Sequence, residues 1–198
     1  MGAALTWRDR VRRVTRLTLA WVVAAFALSL ASAAPSRLEG VNRPKLYGGV
    51  IANYLMGFGV NITWPERTLV ADVPWRVGVL GPDPFGDAID HLVAGKKLGG
   101  RAILIVRATE PKDLVDCQIV FADQPSQKLV DELAAAVAGR PVLVVIFAPD
   151  HTATGGAIEL HLLKDGTVRF TLNAPALREA GLKPSPELLQ FALRAPPR

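Results

Sequence analysis

Residues 75–92, "WRVGVLGPDPFGDAIDHL", read as a short strand, a tight turn and the first turns of a helix, and the fold follows from that reading. Val77–Leu80 is apolar without alternation, and Ala102–Val106, Ile119–Ala122 and Val142–Ala148 repeat the pattern further on. Short Val- and Ile-rich runs of this kind suit strands buried on both faces, as in a parallel sheet covered by helices. Between them lie stripes at helical spacing. Phe85, Ile89, Leu92 and Val93 make one; Leu129, Val130, Leu133 and Val137 make another, with Ser126 placed to cap it.

Upstream, Leu46, Tyr47, Val50, Ile51, Tyr54, Leu55 and Phe58 fall three and four apart, which predicts a helix ending by Gly57 or Gly59. Pro65 then pushes Trp64 toward extended geometry. Downstream, "GGAIELHLLKDGTVRFTLN" (155–173) alternates apolar and polar residues, which predicts an antiparallel hairpin with one solvated face. A two-residue turn at Asp165-Gly166 would set the apolar sets on opposite faces. A three-residue loop, Lys164 to Gly166 with Gly166 left-handed, places Ile158, Leu160 and Leu162 beside Val168, Phe170 and Leu172. A short helix ending at Gly181 and an apolar segment, Leu188–Leu193, follow. The expected fold is α/β: a mixed sheet with parallel core strands, helices on both faces and a C-terminal hairpin at one edge.

Arg8, Arg10, Arg12, Arg13 and Arg16 precede an apolar run from Leu17 to Leu30 and then Ala31-Ser32-Ala33. These are the three parts of a secretory leader, so 1–33 is expected to be a cleaved signal peptide, with an uncleaved inner-membrane anchor as the alternative. Residues 34–44 then form a connector and 45–198 a single domain. The chain has 23 basic and 18 acidic residues; the leader takes five and one of them, leaving 18 against 17. No basic stripe remains to neutralise phosphates, which sets nucleic acid aside. About 165 residues suffice for one filled core. Cys117 is the single cysteine, so no disulfide forms within one chain.

The turn "GPDPFGDA" (81–88) matches the first half of a phosphate-binding loop and then fails. Asp87-Ala88 stand where Lys-Ser/Thr must follow. Pro82 and Pro84 remove amide donors, and Asp83 and Asp87 put carboxylates where an anion would sit. The bland reading is a rigid turn whose Asp83 caps the next helix. Cys117 opens a core strand and reads as a buried structural thiol; a catalytic role would need a cleft in which His151 or His161 meets it. Glu159 and His161 share a strand face with Arg169, which discourages a metal, so a solvated face is expected there. Asp150 and His151 follow a buried strand, where α/β folds place ligands, and form a possible small-molecule loop. Tyr54, Phe58 and Trp64 could make an aromatic platform, but their spacing reads first as core. No cofactor or metal is expected.

Taken in order, "ANYLMGFGVNITWP", "LGPDPFG", "DLVDCQIVFA", "GGAIELHLLKDGTVRFTLN" and "LREAGLKPSPELL" resemble the YfiR-like exported proteins over roughly residues 45–193. The positions carrying the likeness are Tyr54, Phe58, Trp64, Pro65, Gly81, Asp83, Pro84, Phe85, Gly86, Cys117, Gly155, Gly156, Asn173 and Gly181. The resemblance implies a Rossmann-like domain in the periplasm of a Gram-negative bacterium, without catalytic residues. It further implies a regulator that binds the periplasmic part of an inner-membrane diguanylate cyclase, lowering cyclic di-GMP and biofilm formation, or of a sensor kinase. A periplasmic small-molecule sensor is the alternative, and dimerisation stays open. Two features depart from the family: no second cysteine is present for a disulfide, and Pro184 and Pro186 flank Ser185 where helix-compatible residues usually run.

Overall fold

The computed structural model describes residues 43–68, 72–149 and 153–193. The expected leader and the loop residues Asp150 and His151 lie outside them. In chain order the elements are α1 (Arg43–Asn61), β1 (Ile62–Thr63), β2 (Trp75–Leu80), α2 (Asp87–Val93), β3 (Lys97–Leu98), β4 (Arg101–Ala108), β5 (Ile119–Asp123), α3 (Gln127–Ala136), β6 (Leu143–Phe147), β7 (Ile158–Leu162), β8 (Val168–Leu172), α4 (Ala174–Glu179), β9 (Lys183–Pro184) and α5 (Pro186–Phe191). Two 3₁₀ turns, Glu66–Thr68 and Pro111–Leu114, sit between them.

The main sheet runs β3-β4-β2-β5-β6-β7-β8. β4, β2, β5, β6 and β7 are parallel, while β3 and β8 pair antiparallel at the two ends. The α/β class, the parallel core and the terminal hairpin are as the sequence predicts. Strand parity explains why the core runs are apolar throughout. Val77, Val79, Ile119, Phe121, Leu143, Val145 and Phe147 point into one cluster with Ile51, Leu55, Phe58, Ile89, Leu177 and Leu188 from the helices. Leu80, Val120, Ala122, Val144 and Ile146 point into a second, closed by Leu114, Val130 and Leu133. Both faces of these strands are buried, so no polar alternation survives.

Local chemistry sets the ends of the elements. Ser126 Oγ accepts the Leu129 amide at 3.3 Å, capping α3 as expected. Asn173 Oδ1 caps α4 through the Ala176 amide, and Gly181 (φ 69°) closes it with two backbone bonds, Leu182 N–H to Leu177 C=O and Gly181 N–H to Arg178 C=O. The prolines around Ser185 fit a helix start. Ser185 Oγ accepts the Leu188 amide, Pro186 takes the first helical position, and Pro184 pairs with Ile62 just before it. The hairpin loop is the three-residue one: Leu162 opposes Val168, Leu163 N–H donates to Thr167 C=O, and Gly166 has φ 82°.

Three expectations are corrected. α1 runs on to Asn61 rather than stopping at Gly57 or Gly59. The chain passes Gly59 closely: a Cβ on it would come within 2.7 Å of Leu98 Cδ1, which would have to shift. Phe85 is buried but lies in the turn before α2, not in the helix. The hairpin's polar face is not open to solvent at His161 and Thr171. Both are buried, and His161 Nε2 lies 2.9 Å from Thr171 Oγ1, so the polar atoms meet each other instead of water.

Candidate functional site

The turn after β2 lies where a doubly wound sheet usually binds ligands, at the C-terminal ends of strands beside the point where the order reverses. Its chemistry is closed from within. Asp83 Oδ1 accepts the amides of Phe85 (2.7 Å) and Gly86 (3.3 Å), the groups an anion would need. Asp83 is therefore the organiser of the turn rather than the cap of α2, whose N-terminus at Gly86 has no side-chain cap. Asp83 Oδ2 in turn accepts Arg107 Nε at 2.7 Å, and Arg107 reaches Asp90 and the Gly86 carbonyl as well. The hydrogen bond from Arg107 holds the Asp90 carboxyl below the usual carboxylate range. Gly81 and Gly86 both have positive φ, and Phe85 plugs the turn onto Phe121 with ring centroids 5.2 Å apart. Nothing in the sequence marked Arg107, because its partners are 24 and 17 residues away.

Cys117 sits just before β5 at 3% exposure, and burial pushes its thiol up to about 11. Its sulfur packs toward Gly78, where an added Cβ would lie 3.2 Å from it. The cleft of about 320 Å³ beside it is lined by Asp116, Gln118 and Arg140 among others, and by no histidine among the described residues. That is the setting of a packed structural thiol. Among the described residues no group of three or more His, Cys, Asp and Glu could hold a metal ion, and no helix is long and apolar enough to cross a membrane. Gly155 (φ 114°) donates to Glu159 Oε1 at 3.0 Å, and Gly156 backs onto Ile146 and the Ile158 carbonyl with no room for a Cβ.

The three aromatic residues of the supposed platform part company. Trp64 packs edge-on to Trp75 at 4.9 Å, donates its indole N–H to the Gly59 carbonyl, and is buried. Pro65 lies near Gly181, where an added Cβ would be 3.5 Å from its Cγ. Tyr54 and Phe58 lie together on α1 at 5.7 Å and meet Phe170 of β8 edge-on at 5.8 and 5.2 Å. The Tyr54 hydroxyl donates to the Val168 carbonyl at 2.8 Å, anchoring the helix to the hairpin.

Above this anchor lies an open groove of about 560 Å³ between α1, β8 and α5. Tyr54, Phe58, Phe170 and Leu188 line its apolar part. Val50 (45% exposed) and Phe191 (66% exposed) stand at it as open apolar side chains. Among the described residues, Arg169 is the one charged residue of the lining, with its Nη2 donating to the Phe191 carbonyl at 3.3 Å. Asn53 and Asn61 donate their amide N–H to their own helix at Gly49 and Gly57, so their side-chain oxygens are the groups offered to a visitor. The site thus presents aromatic and aliphatic surface, one cation and two acceptors. Sequence reasoning reached Tyr54 and Phe58 but missed Arg169, Leu188 and Phe191, which only the return of the chain over the hairpin brings to α1.

Residues 49–193 match the family described as YfiR/HmsC-like. No curated protein matches the chain.

Proposed function

Because the chain belongs to the YfiR/HmsC-like family, a regulatory and non-catalytic family of periplasmic proteins, we propose that it regulates by contact. In this reading the groove between α1, β8 and α5 takes apolar side chains of the periplasmic part of an inner-membrane diguanylate cyclase and holds the cyclase inactive. A sensor kinase is the second partner of the same kind. The observation that supports it is the exposure of Phe191 and Val50 beside an aromatic floor. Fully desolvated aromatic anchors of this type carry much of the energy of protein interfaces. Arg169 adds a site for a partner carboxylate.

The test is a crosslinking capture of the tagged full chain from its own host, repeated with Phe191→Glu. Recovery of an inner-membrane cyclase or kinase by the parent protein, its loss in the variant, and a rise in cyclic di-GMP would support the reading. Recovery unchanged by Phe191→Glu would place the contact elsewhere. A groove of this volume also falls within the range of small-ligand sites, roughly 300–1,000 Å³. A melting temperature raised by a small molecule and insensitive to partner would favour the sensor reading instead.

A further inference from the structure

α1 is a surface helix with no charged side chain from Leu46 to Asn61. A helix lying on a core usually turns charged residues to the water. Here the outer side is a row of Gly49, Asn53, Gly57 and Asn61, each four residues from the next and so stacked along the helix. Val50 and Val60 stand exposed beside the row. Gly49 and Asn53 are exposed, Gly57 and Asn61 half-buried, and the last three of the row line the groove described above.

Two of the four glycines of α1 answer to the domain itself. A Cβ on Gly48 would lie 3.0 Å from the Pro84 carbonyl oxygen, and one on Gly59 2.7 Å from Leu98 Cδ1. Gly49 and Gly57 answer to nothing within it: among the described residues, a Cβ on either meets no neighbouring atom within 4 Å. Neither has the positive φ that calls for glycine, and glycine in a helix interior is destabilising relative to alanine. Stability given up at an open position belongs with function, and a helix face without Cβ atoms lets a second backbone come close.

Building on the groove as a partner site, we propose that the element the partner brings to it is an α-helix, laid across α1 over Gly57, with apolar side chains at three- and four-residue spacing in the groove and a carboxylate facing Arg169. Residues four apart form the ridges and furrows of a helix surface, and a furrow floored by glycine accepts the matching ridge of a second helix at about −50°, with the axes about 8 Å apart. A strand is the poorer occupant. The outer edge of β8 is already engaged, since Leu193 bridges Thr171 and its N–H donates to the Phe170 carbonyl at 2.8 Å. Charge supplies the rest. Among the described residues Arg169 makes no ion pair, and its Nη2 donates only to the Phe191 carbonyl. A guanidinium with donors to spare in an otherwise uncharged lining is complemented by a carboxylate.

The experiment uses the full tagged chain and the cyclase or kinase it captures from its own host. A photoreactive p-benzoylphenylalanine placed at Asn53 should attach to that partner at positions three or four apart within one segment, the periodicity of a helix. Gly57→Leu puts a side chain into open space and favours the helix, so the melting temperature should hold or rise, while recovery of the partner falls at least about tenfold because the added atoms occupy the place of the second backbone. Arg169→Glu should lower recovery by a similar factor and Arg169→Lys should keep most of it. Recovery lost in Phe191→Glu but kept in Gly57→Leu would leave the groove as the site and overturn the helix, as would attachment points two apart or scattered. Equal recovery by Arg169→Glu and Arg169→Lys would overturn the carboxylate. Recovery untouched by Phe191→Glu would overturn the groove as the partner site, and the docked helix with it.

Discussion

Cys117 should be chemically silent in the folded protein, and the amount of silence follows from its surroundings. Burial raises the thiol from its ordinary value of 9.0 to about 11. Below pH 9 the folded chain then holds about one-hundredth of the thiolate of the unfolded chain, and only thiolate attacks an alkylating reagent. Closure of the site by Leu114 and the β2 backbone at Gly78 lowers access further. Iodoacetamide labelling read by intact mass at pH 8 should therefore be at least about 100-fold slower without denaturant than in it. The native rate should climb about tenfold per pH unit toward pH 11, where the denatured rate has levelled off above 9. Linkage has the same sign. A pKa raised by folding means that the unfolded chain loses its proton first, so this contribution to stability is whole below pH 9 and is lost between 9 and about 11. Cys117→Ala should remove that part of the alkaline slope. Native labelling within about tenfold of the denatured rate would refute the buried-thiol argument and reopen Cys117 as a reactive group.

Two glycines should respond oppositely to alanine. Gly156→Ala drives a Cβ to 3.0 Å from the Ile158 carbonyl oxygen, a backbone atom that cannot step aside, and should cost about 1–3 kcal/mol in urea unfolding. Gly57→Ala, in α1 with nothing within 4 Å, should instead stabilise by up to about 1 kcal/mol. Arg107→Gln should loosen the turn at 81–86 and lower stability at pH 7 by about 1 kcal/mol, a modest figure because the guanidinium is 39% exposed. Asp90 is held by Arg107 below its ordinary 3.8, so the clamp contributes above that value and fades as pH falls through the lower folded one. The gap in melting temperature between parent and variant should narrow at pH 3; an unchanged gap would assign the loss to packing.

Much of the architecture was readable because burial writes itself into residue type. The four apolar core runs became β2, β4, β5 and β6, and the hairpin register came from requiring that Ile158, Leu160 and Leu162 share a face with their partners. Capping by Ser126 is likewise local, since the side chain meets an amide three residues on. Most of the failures come from contacts that the local pattern does not record. Gly59 looked like a helix end because Leu98, whose side chain packs against it, is 39 residues away. His161 looked solvated because alternation cannot say that Thr171 closes over it. Asp83 looked like a helix cap because the guanidinium that fixes its other oxygen arrives from β4.

The candidate site divides along the same line. Tyr54 and Phe58 could be named from helical spacing, since one turn of α1 places them side by side. Their partners Phe170, Arg169 and Phe191 sit more than 100 residues on. The sequence by itself determined the α/β class, the strand and helix positions, the isolation of the cysteine and the failure of the phosphate loop, because each depends on residue type and short spacing. Only the tertiary structure decided that, among the described residues, α5 stops short of covering α1, leaving Phe191 open, and that β3 pairs with only two residues of β4. A groove and a bare edge are what packing leaves unfilled, and no local pattern of residues records what will fail to meet.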